Sequence, residues 1–270
     1  MLCQVTATPA VRFFRHALIG LALVAATALA GAAGAQAQSQ NSNRAAPQAT
    51  NRYGDPVAAT PEPGKFDYYV LALSWSPSFC EASRERNASR RPDPQCSGRP
   101  YAFVVHGLWP QQERGLSPAN CQVPSPRIPR QMVDGMLDLM PSPRLVYHEW
   151  DRHGTCSGLN AAGYFDATRK AREKIVVPAA YHESTVVRHV SAQQIADAFV
   201  AANPGLSKKS LAVTCDDKRL TGIRICMGKD FQFRECDEVA RRTCQRDNLA
   251  MPAMRISREA ADGAVTSGAR

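Results

Sequence analysis

Two short stretches of the chain decide its interpretation. Their residues are Phe103-Val104-Val105-His106-Gly107-Leu108-Trp109-Pro110 and His148-Glu149-Trp150-Asp151-Arg152-His153-Gly154-Thr155-Cys156. The apolar run over 101–105 is short and continuous, which predicts a strand in the middle of a sheet. His106 would then lie at the end of this strand, before a turn at Trp109-Pro110. A polar side chain in this position is typical of a catalytic site, although a lone histidine is more often a core residue with satisfied hydrogen bonds.

The second stretch predicts the last turns of a helix over 144–153, closed by the glycine that follows it. Glu149 and His153 are four residues apart and share a helix face, as do His148 and Arg152. Histidine titrates near neutral pH, and arginine beside a protonated histidine suits an anionic phosphoryl group. The four side chains therefore predict a patch that combines acid–base chemistry with phosphate binding.

A zinc protease site is the alternative for this helix. That motif places two histidines four residues apart on one helix face. Here His148 and His153 are five residues apart, or about 140° around the helix, and Arg152 would oppose a metal ion. We therefore expect neither a metal nor another cofactor.

The rest of the chain predicts an α+β fold with several helices packed on an antiparallel sheet. Apolar and aromatic runs predict strands over 66–75, 101–105, 211–215 and 220–226. Helical spacing predicts helices over 144–153 and 161–175. A third helix would start after Ser191, which has Gln194 in a capping-box position, and end at Asn203-Pro204-Gly205.

The domain boundaries follow from composition. Residues 38–64 are rich in Gln, Asn, Ala, Pro and Thr and predict a disordered arm. Residues 65–248 would form one catalytic domain, and residues 249–270 a flexible tail. We expect a monomer.

The first residues resemble an export signal. Arg12 and Arg15 precede an apolar run over 17–33, and Ala35-Gln36-Ala37 matches a cleavage site. The alternative is a membrane anchor, but the run is shorter than the about 20 residues needed to span a bilayer. We predict a signal peptide over 1–37 and a bacterial protein that is exported to the periplasm or the medium and leaves the membrane after cleavage.

Cysteine content and charge agree with export and with an anionic substrate. Eight of the nine cysteines lie outside the predicted signal peptide, and an even number in an oxidising compartment predicts four disulfides. No Cys-x-x-Cys pair supports zinc binding instead. The formal net charge of +9 is compatible with an anionic partner and equally with simple solubility.

Taken together, the two quoted stretches resemble the active-site segments of the ribonuclease T2 family. The resemblance extends over Tyr69 to Cys80 and over the cysteines from Cys215 to Cys244. It implies a metal-independent endoribonuclease that acts on single-stranded RNA. In such an enzyme the 2′-hydroxyl attacks the neighbouring phosphorus to give a 2′,3′-cyclic phosphate, which water opens to a 3′-phosphate. DNA lacks the 2′-hydroxyl and should not react.

The resemblance also implies a role for each site residue. His153 matches the general base and His106 the general acid. The residues matching groups that stabilise the transition state or bind phosphate are Glu149, Arg152 and His148, and Trp109 matches an aromatic residue that stacks on a base. The family usually has lysine where this chain has Arg152, whose planar fork changes the geometry at phosphorus.

The family pattern implies four cysteine pairs: Cys80–Cys96, Cys121–Cys156, Cys215–Cys244 and Cys226–Cys236. The loop after Pro110 corresponds to the family's base-recognition segment. Its Gln111, Gln112 and Glu113 would contact base edges or remain solvated.

Overall fold

A four-stranded antiparallel sheet forms the centre of the fold. Its strands are β1 (Tyr68–Trp75), β2 (Phe103–Gln111), β4 (Leu211–Cys215) and β5 (Leu220–Met227). They lie in the order β2-β1-β5-β4 across the sheet. The structure is a computed structural model that describes residues 61–86 and 91–254. The predicted signal peptide, most of the predicted arm and residues 255–270 lie outside them. All four predicted strands are confirmed.

Helices connect and flank these strands within the described residues. They are α1 (Ser76–Arg86), α2 (Pro94–Ser97), α3 (Arg130–Asp134), α4 (Pro143–Arg152), α5 (Ala161–Glu173), α6 (Ala192–Ala202) and α7 (Asp237–Ala240). The three predicted helices are confirmed as α4, α5 and α6. The capping box of α6 is present, because the Gln194 amide donates to Ser191 Oγ at 3.0 Å and the Ser191 amide donates to Gln194 Oε1 at 2.8 Å. The fold class is therefore α+β, as predicted.

Both faces of the sheet are covered by apolar residues. Alternate residues of β1 point to opposite faces, so Leu71 and Leu73 lie in the large core while Tyr68 and Val70 lie in a smaller cluster on the other face. Trp109 packs against this smaller cluster. The second face of the sheet is the one that carries the candidate site.

Four disulfides join the cysteines in the pairs that the family pattern implied. Cys121–Cys156 links the loop after β2 to the 3₁₀ turn Gly154–Cys156 that follows α4. This bond ties the loop that follows the first quoted stretch to the last residue of the second.

We predicted that strand β2 ends at His106 and that a turn follows at Trp109-Pro110, and both predictions are wrong. The strand continues to Gln111, with Pro110 opposite Tyr69 of β1. Proline lacks an amide hydrogen and is tolerated on an edge strand, and β2 is an edge strand of this sheet. His106 therefore lies within a strand rather than at its mouth.

The predicted tail boundary at Leu249 is wrong. Leu249–Met251 forms β6, which pairs antiparallel with β3 (Arg188–Val190). Leu249 and Met251 are fully buried, and the Trp75 indole donates to the carbonyl of Pro252 at 3.0 Å. A strand of three residues is too short to produce a recognisable period, so composition alone suggested a tail.

Candidate active site

His106 is the extra residue of a β-bulge. Gly107 pairs with Ala72 and Val105 pairs with Leu73, so the residue between them has no partner on β1. A bulge turns a side chain out of the regular alternation of a strand. The His106 side chain is 42% exposed, and its Nδ1 shares a hydrogen bond of 3.1 Å with the Ser74 hydroxyl. The strand thus fixes one ring nitrogen and leaves the other, Nε2, facing the site.

Glu149 connects the sheet to helix α4. Its carboxylate is buried, with Oε1 at 3.4 Å from His106 Nε2. Its Oε2 accepts a 2.7 Å hydrogen bond from the Trp109 indole. A Cβ atom on Gly107 would lie 1.9 Å from this same Oε2. The carboxylate can therefore approach the strand only because residue 107 has no side chain.

Trp109 lies between the two imidazoles. Its ring stacks on His153 with centroids 5.3 Å apart and meets His106 edge-on at 5.6 Å. Arg224 of β5 lies over the same indole, with Cζ 5.2 Å from the ring centroid. The predicted stacking of Trp109 on a base stays a prediction. Its contact with both histidines is a role that the sequence did not reveal.

His153 is the C-cap residue of α4 and is partly buried. Burial lowers its pKa from 6.5 to about 4, against the opposing effect of the Glu149 carboxylate. Arg152, His148 and His106 lower the pKa of His153 further. A histidine with this pKa is neutral at neutral pH and can accept a proton.

Two polar atoms at the centre of the site are buried and accept or donate no hydrogen bond to the described residues: Glu149 Oε1 and His153 Nδ1. Buried polar atoms normally have a partner. His153 Nδ1 can therefore bind a ligand, whereas Glu149 Oε1 already faces His106 Nε2 at 3.4 Å.

The remaining predicted residues of α4 lie around this centre. His148 and Arg152 are exposed, beside the imidazole whose pKa they lower. The Trp150 indole donates to the Pro126 carbonyl at 2.7 Å. The helix thus presents an arginine and a histidine to solvent beside a buried carboxylate.

Gly154 follows the C-cap residue His153, as predicted. Its φ is not positive, so it does not adopt the left-handed conformation common at this position. A Cβ atom there would lie 2.4 Å from Trp150 Cε3 and 2.9 Å from Tyr164 Cδ1. The glycine is required by close packing between α4 and α5.

The loop after β2 is held by its own side chains. Gln111 Oε1 accepts from the Ser117 hydroxyl at 2.7 Å. Glu113 forms an ion pair with Arg234, so its carboxylate is already engaged. Contact between Gln111, Gln112 or Glu113 and a base remains a prediction.

Ser74 and Arg224 were not among the site residues predicted from the sequence. Both carry a signal in retrospect, because each is a polar residue inside an otherwise apolar strand, β1 or β5. Over residues 61–86 and 91–254, no three or more His, Cys, Asp or Glu side chains are grouped so as to hold a metal ion. No helix in the same ranges has the length and hydrophobicity needed to cross a bilayer.

Similarity to known proteins agrees with the site. The chain is 42% identical over 122 residues to a ribonuclease of Aeromonas hydrophila. The aligned part covers 45% of this chain and 52% of that protein. The chain is 30% identical over 178 residues to a probable ribonuclease of Haemophilus influenzae, which covers 63% of this chain and 61% of the relative. The chain therefore spans between half and two thirds of the length of these relatives.

The fold is similar to that of an RNase-related protein from Calystegia sepium. The TM-score is 0.53 at 22% identity, over 70% of this chain and 98% of the other. The model of the Ribonuclease T2 family matches residues 66–236. Because this match covers more than half of the chain, the protein belongs to the ribonuclease T2 family.

Proposed function

We propose that the protein is an endoribonuclease that cleaves single-stranded RNA by transphosphorylation, with His106 and His153 as its acid–base pair. The observation that carries this proposal is the arrangement of two imidazoles around the buried Glu149 carboxylate and the Trp109 indole. Family membership supports the reaction class, and the site geometry supports the assignment of roles.

In the first step the 2′-oxygen attacks phosphorus and the bond from phosphorus to the 5′-oxygen breaks. His153, neutral because of its low pKa, takes the proton of the 2′-hydroxyl. His106 gives a proton to the leaving 5′-oxygen. Glu149, 3.4 Å from His106 Nε2, stabilises the protonated form of His106 before the transfer. The product is a 2′,3′-cyclic phosphate.

In the second step the roles reverse. His106, now neutral, takes a proton from water as the water oxygen attacks phosphorus, and the protonated His153 returns a proton to the departing 2′-oxygen. The product is a 3′-phosphate. Each transfer by a positioned acid or base contributes about 10²–10⁴-fold to the rate.

His148 and Arg152 would bind the scissile phosphate. Both are exposed at the C-terminal end of α4, beside His153. The Arg152 guanidinium can offer two parallel N–H donors to two phosphate oxygens. The predicted stacking of Trp109 on a base would add a contact to the nucleoside.

Export belongs to the same proposal. Four disulfides among the described residues are typical of an oxidising compartment such as the periplasm or the medium. The substrate is RNA, and we propose that the processed enzyme acts as a monomer away from the membrane.

The test is cleavage by the oxidised protein of a mixed-sequence RNA, with DNA of the same sequence alongside, in excess EDTA. The expected result is cleavage of RNA alone, with 2′,3′-cyclic phosphate termini among the products. Loss of RNA cleavage in EDTA, with recovery on addition of zinc or magnesium, would contradict the two-histidine mechanism. Equal cleavage of DNA would contradict attack by the 2′-hydroxyl.

A further inference from the structure

Arg224 lies on the face of the sheet that carries the candidate site. It pairs with Ala72 of β1, and Ala72 pairs with Gly107 of β2. Residues directly opposite one another share a face, so the three form one row across the sheet, with the Glu149 carboxylate close to Gly107. Two strand spacings place the backbone of Arg224 about 10 Å from that of Gly107.

The residues beside Arg224 in this row are small. Its neighbours in the row, Ala72 and Ala212, each carry only a methyl group. The guanidinium extends to the Trp109 ring, 5.2 Å from the centroid. Arg224 and His153 thus contact the same indole.

The Arg224 guanidinium has no anionic partner in the part of the chain that the structure describes, and it donates no hydrogen bond there. Two other arginines close to this face do have one: Arg234 is paired with Glu113, and Arg242 lies 3.8 Å from Glu238. Burial, and then the charge of Arg242, lower the pKa of Arg224, although arginine stays protonated in proteins. A half-buried cation without a counter-charge is costly unless a ligand supplies the charge.

We propose that Arg224 binds a phosphodiester of the substrate strand that neighbours the scissile one, as a further subsite on the β5 side of Trp109. This inference rests on the proposed function. The planar guanidinium fork matches two phosphate oxygens. The scissile phosphate has its own cations on α4, so the cation on the sheet is available to the next phosphate along the strand.

The test compares two substrates with the same cleaved step: a dinucleoside monophosphate, which has one phosphate, and a tetranucleotide, which has flanking phosphates. Arg224→Gln should lower kcat/KM on the tetranucleotide by about tenfold or more, the scale of a lost charge-assisted hydrogen bond. It should change kcat/KM on the dinucleotide by less than about twofold. Arg224→Lys keeps the charge but not the planar fork, so its kcat/KM on the tetranucleotide should lie between those of the wild type and of Arg224→Gln.

Arg188→Gln is the matched control. Arg188 is also partly buried and also lies over an aromatic ring, with Cζ 5.8 Å from the Tyr181 centroid, but it belongs to the two-stranded sheet. This variant should behave as wild type on both substrates. An equal loss on both substrates in Arg224→Gln overturns the proposal, because Arg224 would then act on the scissile phosphate or on Trp109.

Binding of an uncleavable substrate analogue tests the role of Arg224 independently of RNA cleavage. The uncleavable 2′-deoxy tetranucleotide should bind Arg224→Gln more weakly, and the slope of log Kd against log salt should fall by about 0.7, the value for one phosphate contact on a single strand. Unchanged affinity and slope overturn the subsite. Failure of the wild-type protein to cleave either RNA contradicts the proposed function instead, and leaves the binding measurement to decide on Arg224.

Discussion

At the scale of single residues, Glu149 organises the site. One of its oxygens lies 3.4 Å from His106 Nε2 and the other accepts from Trp109, which in turn stacks on His153. A buried carboxylate favours the protonated form of a nearby imidazole, whereas burial favours the neutral form. Burial prevails for the partly buried His153, whose pKa falls to about 4, so that it is neutral near pH 7 as a base requires. His106, the proposed acid, lies against the carboxylate.

Replacing either histidine with alanine should lower kcat on RNA by at least about 10²-fold, because each would supply one proton transfer. The measurement is single-turnover cleavage of a labelled RNA, together with a thermal unfolding scan to show that each variant folds. His189→Ala is the control, since His189 is exposed and bonds only to Asn248 among the described residues. A near wild-type rate in His106→Ala or His153→Ala would refute the assignment.

The pH profile of kcat/KM should be bell-shaped, with its acid limb near the His153 pKa of about 4. His153 acts as a base only when neutral, so activity is lost as the pH falls through this pKa. Glu149 raises the pKa of His153, so Glu149→Gln should move the acid limb to lower pH. The maximal rate should fall, because a protonated His106 or His153 loses the counter-charge of the Glu149 carboxylate. A limb that moves to higher pH contradicts this electrostatic role.

At the scale of the secondary structure elements, the bulge in β2 and the end of α4 position these residues. The bulge turns His106 out of the strand's regular alternation. Gly107 then leaves the space into which α4 inserts Glu149. The site therefore depends on one strand irregularity and one missing side chain, next to each other in sequence.

Gly107→Ala should disable the site, because its Cβ would meet Glu149 Oε2 at 1.9 Å and Trp109 Nε1 at 2.7 Å. Overpacking of this kind costs about 1–3 kcal/mol of stability. Displacing a catalytic group by about 1 Å can cost 10²-fold in rate. Kinetics and denaturant unfolding measure the two effects.

Gly135→Ala is the control for this substitution. Gly135 has φ of −66°, and its added Cβ would be 3.4 Å from the nearest atom, the Gln131 carbonyl oxygen. This variant should keep the wild-type rate. If Gly107→Ala also kept that rate, the close approach of Glu149 to β2 would not matter for catalysis.

At the scale of the whole molecule, residues distant in sequence close the core. The strand β6 pairs with β3, and the carbonyl of Pro252 accepts a hydrogen bond from Trp75 at the end of β1. Leu249 and Met251 are fully buried in the core that also contains Leu71. The segment from 249 to 254 is thus part of the domain.

Leu249→Ala should lower the free energy of unfolding by about 2–5 kcal/mol, the usual cost of a cavity left by a buried leucine. Val186→Ala, at a side chain that is 64% exposed, should change it by less than about 0.5 kcal/mol. Denaturant unfolding of both variants gives the comparison. Equal, small effects would mean that 249–251 is a tail after all.

The sequence was sufficient for features that depend on local patterns. Strand and helix types follow from hydrophobic periods of 2 and 3.6 residues, and the capping box at Ser191 and Gln194 is local too. The motifs around His106 and His153 were sufficient to indicate the family. The disulfide pairs came from family resemblance, since cysteine counts leave the pairing open.

Tertiary structure decided what depends on contacts between elements. The bulge at His106 is a property of the register between β1 and β2. The partners of Trp109 come from the end of α4 (Glu149 and His153) and from β5 (Arg224), which are far apart in sequence. The low pKa of His153 comes chiefly from burial. Arg224 has a local signal as a polar residue in β5, but these contacts and this pKa arise only when packing brings the elements together and excludes water.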